Sequence, residues 1–243
     1  MPPPAPVHSC QDCLHCGQRT LRLFCNLHAE ALQEFNTLGT LSTRPRGDCL
    51  FEESSPISGV FVLCRGKVKL TTTSRQGKVL VLKIALPGEV LGLGAALSGS
   101  KHEVTAVALE PIQVKRIENE ELLTFLSRHA EAGLHAAEVV SADYQSAVIG
   151  TRRLALSTSA GARLAGMLLE WGRVRPLDHQ RDSSPSEMRF NMALTHEELA
   201  GLIGTTRETV TRTLSQFKRE NLIAIRGATI VILAADRLEA MSA

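Results

Sequence analysis

Short apolar runs separated by turn residues dominate residues 41–116. The stretch GVFVLCRGKVKLTTTSRQGKVLVLKIALPGEVLGLG is typical, because Arg-Gly, Gln-Gly and Pro-Gly pairs interrupt its apolar runs. Regular spacing of strand-like runs and turns is characteristic of antiparallel sheets. The pattern therefore predicts an antiparallel β-roll or barrel in this part of the chain.

Apolar residues recur at intervals of three and four along the next part of the chain, from Ile117 onward. This spacing predicts a long helix with an apolar seam, as in paired helices, although the seam would also suit a helix that packs on its own roll. The predicted dimer seam consists of Ala137, Val140, Tyr144, Ala147, Thr151 and Leu154.

The C-terminal part contains two helix starts followed by two strand-like runs. Thr195 and Glu198 have the spacing of a capping box, and a second start falls at Thr205 or Thr206, after Gly204. The final NLIAIRGATIVIL predicts two short strands around an Arg-Gly turn, and the polar residues 176–188 predict a loop. Together these features predict a winged helix-turn-helix.

Four polar residues of the second helix share one exposed face near its start: Arg207, Glu208, Thr211 and Arg212. This is the part of a recognition helix that enters the major groove, where Arg pairs with guanine and Glu with cytosine. Two simpler interpretations remain, because Glu208 also has capping-box spacing with Thr205 and exposed Arg is common on solvated faces. The region carries as many acidic as basic residues, so the DNA-binding prediction depends on arrangement, not on net charge.

Four of the six cysteines lie in HSCQDCLHCGQRTLRLFC, and the chain has a net charge of +2. The start MPPPAPVHS lacks the basic and apolar regions of a signal peptide, and no apolar run is long enough for a membrane span. We therefore expect a cytoplasmic protein without a membrane partner. In that reducing compartment, clustered cysteines indicate metal binding or redox chemistry and not disulfides.

Several segments resemble the superfamily of the cyclic-AMP receptor protein and the fumarate-nitrate regulator (CRP/FNR). They are TRETVTRTL, NLIAIRGATIVI, GDCLF, SGVFVLCRGKVKL and PGEVLG. The resemblance implies a homodimeric, non-enzymatic transcription regulator that binds palindromic double-stranded DNA and contacts RNA polymerase. Half-sites like TGTGA or TTGAC, read by Arg207, Glu208 and Arg212, are implied as well.

The resemblance also implies an α+β fold with a jelly-roll sensor, a dimerisation helix and a winged helix. We predict a cysteine-rich segment at 1–30, a β-roll at 31–118, a dimerisation helix at 119–156 and a DNA-binding domain at 157–243. The cyclic-nucleotide branch uses a Glu and an Arg-Ser pair where this chain has Leu93, Val104 and Thr105. Without that Arg the ligand's phosphate loses its bidentate partner, which argues against cyclic AMP but not against another small effector.

The oxygen-responsive branch resembles this chain in its opening cysteines. It binds a [4Fe-4S] cluster through three N-terminal cysteines and one roll cysteine near the strand that here reads PIQVKRI, where Val114 and Lys115 occur instead. The extra Cys16 would allow a local ligand set of Cys10, Cys13, Cys16 and Cys25, since thiolates suit iron–sulfur clusters and zinc.

Other interpretations of the cysteines remain open. Zinc would accept the same four thiols, or three of them with His8, His15 or His28. Buried thiols without metal are the plainest alternative. Cys49 and Cys64 lie on strand-like segments and are left out of the site, although either could replace one of the four.

Three functions compete at this point. The leading hypothesis is a regulator that responds to oxygen, nitric oxide or redox state through an iron–sulfur cluster. The second is an effector-gated regulator with a structural zinc. The third, an iron–sulfur electron-transfer protein, leaves the helix-turn-helix unexplained and lacks a substrate-site pattern.

Overall fold

The computed structural model describes residues 13–16, 25–77, 79–174, 188–192 and 194–242. These residues belong to two compact units. The first comprises residues 1–78 and 82–146, and the second comprises residues 147–243 together with 79–81. No helix in the described ranges is long and apolar enough to span a membrane.

The first unit is a two-sheet roll with helices before and after it. Its elements, with the long helix that continues past residue 146, are α1 Ala29–Thr37, β1 Thr40–Arg44, β2 Cys49–Phe51, β3 Gly59–Arg65, β4 Val68–Thr73, β5 Val79–Ala85, β6 Val90–Leu91, α2 Leu93–Ser98, β7 Thr105–Ala108, β8 Ile112–Glu118, α3 Asn119–Arg128 and α4 Ala130–Leu156. One sheet has the order β1-β8-β3-β6 and the other β2-β7-β4-β5. This confirms the predicted antiparallel roll.

Strand β3 separates two apolar cores. Phe61 and Leu63 belong to the core inside the roll, whereas Val60 and Val62 belong to a core that includes helix residues. Successive side chains of a strand point to opposite faces of a sheet, so both faces of β3 are buried. The core inside the roll consists of Phe51, Phe61, Leu63, Val68, Ala85, Leu91, Ala106, Ala108, Ile112 and Val114.

The second core joins the outer face of the sheet to helices α1, α3 and α4. Phe35 of α1 and Phe125 of α3 are fully buried, with ring centroids 5.6 Å apart. Ala132 and Ala136 of α4 allow close approach, and Ile117 of β8 packs in the same core. This core fixes α1, and therefore the residues just before it, against the sheet.

The predicted start of the long helix at Ile117 is wrong. Ile117 pairs with Val60 in the antiparallel β3–β8 ladder, and β8 continues to Glu118. The helical part then divides into α3 and α4 at His129, which has an extended backbone. Apolar spacing alone did not separate a doubly buried strand from the helix that follows it.

Helix α4 presents most of the predicted seam to solvent. Tyr144 is 71% exposed, and Ala137, Ala147 and Thr151 are also exposed, whereas Val140 and Leu154 are half-buried. Val140 packs against the core shared with α1 and α3. The seam therefore combines positions available to a partner with positions already used within the chain, and it stays a prediction.

The second unit contains the end of α4 and, in its described residues, a three-stranded sheet and four further helices. They are α5 Ala160–Val174, β9 Met188–Asn191, α6 His196–Ile203, α7 Arg207–Arg219, β10 Ile223–Arg226, β11 Thr229–Ile232 and α8 Ala235–Ser242. The sheet order is β10-β11-β9, and Gly227 has φ +61° in the turn between β10 and β11. The two predicted strands of the wing are confirmed.

The predicted loop at 176–188 falls almost entirely outside the described residues. Its last residue, Met188, instead begins β9, where it pairs with Ile232. Phe190 of the same strand is fully buried and meets Trp171 of α5 edge to face, with centroids 6.5 Å apart. Met188 is apolar and pairs with β11, so it belongs to the sheet and not to the predicted polar loop.

Candidate DNA-binding face and thiol pocket

The start of α6 is a complete capping box. The Thr195 hydroxyl accepts a hydrogen bond from the Glu198 backbone N–H at 3.2 Å, and the Glu198 carboxylate accepts one from the Thr195 N–H at 2.6 Å. Both groups satisfy helix-end donors that have no partner within the helix. The capping box predicted at Thr195 is confirmed.

The turn between α6 and α7 depends on Gly204. This residue caps α6 in the left-handed conformation, with φ +62°, and its N–H donates to the Ala200 carbonyl. The next helix begins at Arg207 and its N-cap is Thr206, whose hydroxyl accepts from the Thr209 N–H at 3.3 Å. Because Thr206 is the N-cap, the alternative capping box of Thr205 and Glu208 does not form at this helix start.

Apolar side chains hold the two helices in the helix-turn-helix arrangement. The buried contacts come from Leu199, Leu202 and Ile203 of α6 and from Val210, Leu214 and Phe217 of α7. The guanidinium of Arg163 in α5 donates from Nε to the Ile203 carbonyl at 2.6 Å, which satisfies a carbonyl at the end of α6. The predicted pairing of these two helices is therefore present.

The four residues predicted to read bases are all exposed on the first turns of α7. Arg207, Glu208, Thr211 and Arg212 are exposed, while Val210 between them is fully buried. A face of this kind, beginning at the helix N-terminus, has the geometry of a recognition helix entering the major groove.

Thr211 is held by a neighbour that the sequence did not reveal. Its hydroxyl donates to the Arg207 carbonyl at 2.9 Å and lies 2.8 Å from Nδ1 of His196, at the start of α6. When the hydroxyl hydrogen is used for Arg207, the His196 tautomer with its hydrogen on Nδ1 is the one that donates to Thr211. Thr211 therefore has acceptor capacity left for a DNA base, and no spare donor.

Cysteines from two distant parts of the sequence line one small pocket. The Cys13 N–H donates to the Asn36 side chain at 2.8 Å, which ties the cysteine segment to α1. The pocket has a volume of about 10 Å³, room for roughly one water molecule. Its lining consists of Cys13, Cys16, Cys25, Phe35, Val62, Cys64 and Lys115. Cys10, the remaining predicted ligand, lies outside the described residues.

Lys115 brings a positive charge to this pocket. Its side chain is 6% exposed, and Nζ donates to the Phe35 carbonyl at 2.6 Å and to the Asn36 carbonyl at 2.9 Å. The ammonium also lies 5.0 Å from the centre of the Phe35 ring. A buried ammonium is costly unless it is bonded in this way.

The two cysteines of the roll differ in their surroundings. Cys64 lines the thiol pocket and its thiol donates to the Val62 carbonyl at 3.7 Å, whereas Cys49 is exposed and its thiol donates to the Phe51 carbonyl at 3.3 Å. Desolvation, together with the carboxylates of Glu52 and Asp48, raises the pKa of Cys49. Cys49 is therefore disfavoured as a thiolate ligand, a distinction that the sequence pattern did not make.

The donor set of the pocket suits a thiophilic metal group. Within the described ranges, no three side chains of His, Cys, Asp or Glu converge on a point that could bind a single metal ion. Of the predicted alternative ligands, His15 is exposed and His28 pairs with Glu131 at 2.6 Å. In a cluster each thiolate binds a different iron, so thiols distributed around a pocket fit that group in ligand type, although a pocket of about 10 Å³ would have to widen to hold it.

The positions that would contact a cyclic nucleotide hold neutral side chains here. Leu93 is buried, Val104 packs on the core inside the roll, and the Thr105 hydroxyl accepts from the Glu53 N–H at 3.0 Å. The nearby His102 ring stacks on Phe51 with centroids 3.9 Å apart, and burial lowers its pKa. A neutral imidazole cannot replace the missing guanidinium as a phosphate partner.

Comparisons with known proteins agree with both units. Residues 42–129 match a cyclic nucleotide-binding domain, and residues 162–241 match a Crp-like helix-turn-helix domain. The chain is 27% identical over 242 residues to the nitrogen fixation regulation protein FixK of Bradyrhizobium diazoefficiens, covering 97% of this chain and 94% of that protein. It is also 27% identical over 236 residues to the fumarate and nitrate reduction regulatory protein of Salmonella typhi, covering 96% and 90%.

The solved structures support the same fold. The structure of FixK2 from Bradyrhizobium japonicum superposes with a TM-score of 0.70 and 22% identity, covering 85% of this chain and 98% of that chain. Similarity at this level of identity concerns the fold, and the two matched domains together with the curated relatives extend it to the family. The chain belongs to the CRP/FNR family of transcription regulators.

Proposed function

We propose that this regulator is a homodimer that binds palindromic operators and responds to oxygen, nitric oxide or redox state through an iron–sulfur cluster at its N-terminal cysteines. The observation that carries the sensing part is the thiol pocket on the outer face of the roll, with its buried ammonium. A [4Fe-4S] cluster would supply a centre whose integrity depends on oxidants.

The DNA-binding part of the proposal depends on α7. Arg207 and Arg212 would donate to guanine and Glu208 would accept from cytosine, while Thr211, held by His196, would act as an acceptor. Backbone contacts would fix the register of α7 on the duplex without specifying sequence. RNA polymerase is the partner through which a regulator of this family would act on transcription.

The homodimer is supported by the exposed part of α4. Tyr144 and Ala147 are exposed there, and so are the apolar side chains of Val148, Ile149 and Leu156. Large apolar groups in contact with water favour association with a second apolar surface. Two recognition helices related by a two-fold axis would read inverted half-sites about 34 Å apart, one turn of DNA.

The proposal is tested on protein purified without oxygen. Iron, acid-labile sulfide and zinc are measured for each chain, and affinity for a palindromic operator is then measured before and after exposure to air. We expect nearly equal iron and sulfide, little zinc, and a change in operator affinity of roughly 5- to 150-fold on exposure, the usual range of coupling between two sites.

Two results would contradict the proposal. Stoichiometric zinc without sulfide would instead favour the structural-zinc alternative, in which a small effector in the roll controls DNA binding. If operator affinity stays the same when iron and sulfide are lost, the cysteine site does not control DNA binding.

A further inference from the structure

We propose that Cys64 of β3 is a cluster ligand, acting together with three of the four N-terminal cysteines. The inference rests on the proposed iron–sulfur function and concerns which residues bind the cluster. It depends on the position of Cys64 in the sheet, on its neighbour Lys115 and on the contrast with Cys49.

The first support is the register of β3 and β8. These strands are antiparallel neighbours, with Val62 opposite Lys115 and Leu63 opposite Val114. Lys115 lies where the family resemblance leads one to expect a roll cysteine. Cys64 lies on the adjacent strand, two residues beyond the partner of Lys115, which is close enough for both side chains to line the same pocket.

The second support is the face on which Cys64 lies. Val60 and Val62 belong to the core on the outer face of the sheet, whereas Phe61 and Leu63 belong to the core inside the roll. Cys64 is the extra residue of an irregular ladder, so alternation does not fix its direction, but it lines the thiol pocket together with Val62, on the side of helix α1. That is also the side of Cys13 and Cys25, which pack in the same outer core.

The third support is charge. A four-iron cluster with four thiolate ligands carries negative charge, which is costly away from water unless positive groups or donors surround it. The Lys115 ammonium is held at the pocket by the carbonyls of Phe35 and Asn36. Lys115 on β8 would therefore supply the positive charge that the site requires, and Cys64 on β3 would supply the thiolate ligand.

Cys49 provides a matched control within the same roll. It is the other roll cysteine, and its thiol, like that of Cys64, is bonded to a nearby backbone carbonyl. It does not line the pocket that contains Cys64. If loss of any roll thiol disturbs the protein, both Cys49→Ser and Cys64→Ser should show the effect. If the effect comes from loss of a cluster ligand, only Cys64→Ser should show it.

The experiment measures iron, sulfide and visible absorption in six single variants purified without oxygen. These are Cys10→Ser, Cys13→Ser, Cys16→Ser, Cys25→Ser, Cys49→Ser and Cys64→Ser. We expect Cys64→Ser to lose most of its iron and sulfide and Cys49→Ser to keep both. Because five thiols are available and a four-iron cluster has four cysteine ligands, at least one N-terminal variant should also keep a full cluster.

A second readout guards against loss of the fold in Cys64→Ser. Amide hydrogen exchange of β3 and β8 in this variant should match that of the wild-type protein stripped of iron by a chelator. In native wild type, alkylation of Cys64 should be slow while the cluster is present and faster after chelation, whereas Cys49 should react at the same rate in both states.

The outcomes separate this inference from the proposed function. Full iron and sulfide in Cys64→Ser would overturn the inference and leave the local set of Cys10, Cys13, Cys16 and Cys25. Loss of iron and sulfide in all four N-terminal variants and in Cys64→Ser would overturn it as well. A four-iron cluster has four cysteine ligands, so at least one of these five thiols would then be needed for a reason other than binding iron. Absence of iron and sulfide from wild type would instead refute the proposed cluster itself.

Discussion

The DNA-binding helices and the thiol pocket are stabilised over very different distances along the chain. Helices α6 and α7 lie next to each other in sequence, and their caps join residues three positions apart. In the pocket, Cys13 bonds to Asn36, and Lys115 bonds to the carbonyl of Phe35, 80 residues away. The helix pair can therefore form from local contacts, whereas the pocket requires the sheet and α1 to be in place.

This difference has a consequence for regulation. If cluster loss controls DNA binding, part of the protein must change its structure when the cluster is lost. A pocket assembled from distant segments should unfold locally more easily than a capped helix pair. The predictions that follow test this contrast, beginning with the largest expected effect.

The first prediction compares two fully buried phenylalanines, one in each region. Phe217→Ala should lower the stability of the winged helix by about 3–5 kcal/mol, and Phe35→Ala should cost a similar amount in the roll, because each leaves a cavity in a packed core. Hydrogen exchange measured by peptide should show faster opening in α7 for Phe217→Ala and in β3, β8 and α1 for Phe35→Ala. If either substitution loosened both regions equally, the two cores would not be independent.

The second prediction concerns the exposed face of α7. Arg207→Ala and Arg212→Ala should each cost about 1–3 kcal/mol in binding to the preferred operator and little on random DNA, because base contacts are lost. Arg219→Ala, an exposed arginine in the last turn of the same helix, serves as the control. Fluorescence titrations with both DNAs give the comparison, and equal losses on the two DNAs would remove Arg207 and Arg212 from base reading.

The third prediction concerns the local cap of α6. Thr195→Ala should lower the stability of the winged helix by about 1 kcal/mol, because the Glu198 N–H loses its acceptor. Thr195→Ser keeps the hydroxyl and should recover most of that loss. Urea unfolding of both variants measures the difference, and equal destabilisation by Ala and Ser would show that the hydroxyl is unimportant.

The smallest expected effect is a pH dependence in the roll. Burial lowers the pKa of His102 below its ordinary value of 6.5, so the unfolded chain takes up a proton at a higher pH than the folded chain. The free energy of unfolding should therefore decrease as pH falls below 6.5 and level off below the folded-state pKa. Urea unfolding on either side of that pH should show the slope, which His102→Gln should reduce.

The sequence predicted the winged helix well because its signals are local. Thr195, Glu198 and Gly204 specify a helix start and a helix end by themselves, and the Arg-Gly turn marks the wing. The strand β9 that begins at Met188, the final helix α8 and the partner of Thr211 were missed, the last because a bond between His196 and Thr211 depends on how two helices cross. Spacing along one helix gives no information about such a contact.

The thiol pocket was predicted only in part for the opposite reason. The spacing of Cys13, Cys16 and Cys25 indicated a common site, but nothing near Cys64 in the sequence places it beside them. Alternation along β3 was no guide to its thiol, because the ladder with β8 is irregular at Cys64. Which strand lies beside β3, and in what register, required the structure.

The ladder between β3 and β8 is irregular at one point, and that point is Cys64. Leu63 faces Val114 and Arg65 faces Gln113, so Cys64 is an additional residue with no counterpart on β8. A strand one residue shorter would still form the same pairs. The sheet would therefore tolerate the deletion of a single codon here, and a chain of this fold could gain or lose this thiol in one genetic step without rebuilding the roll.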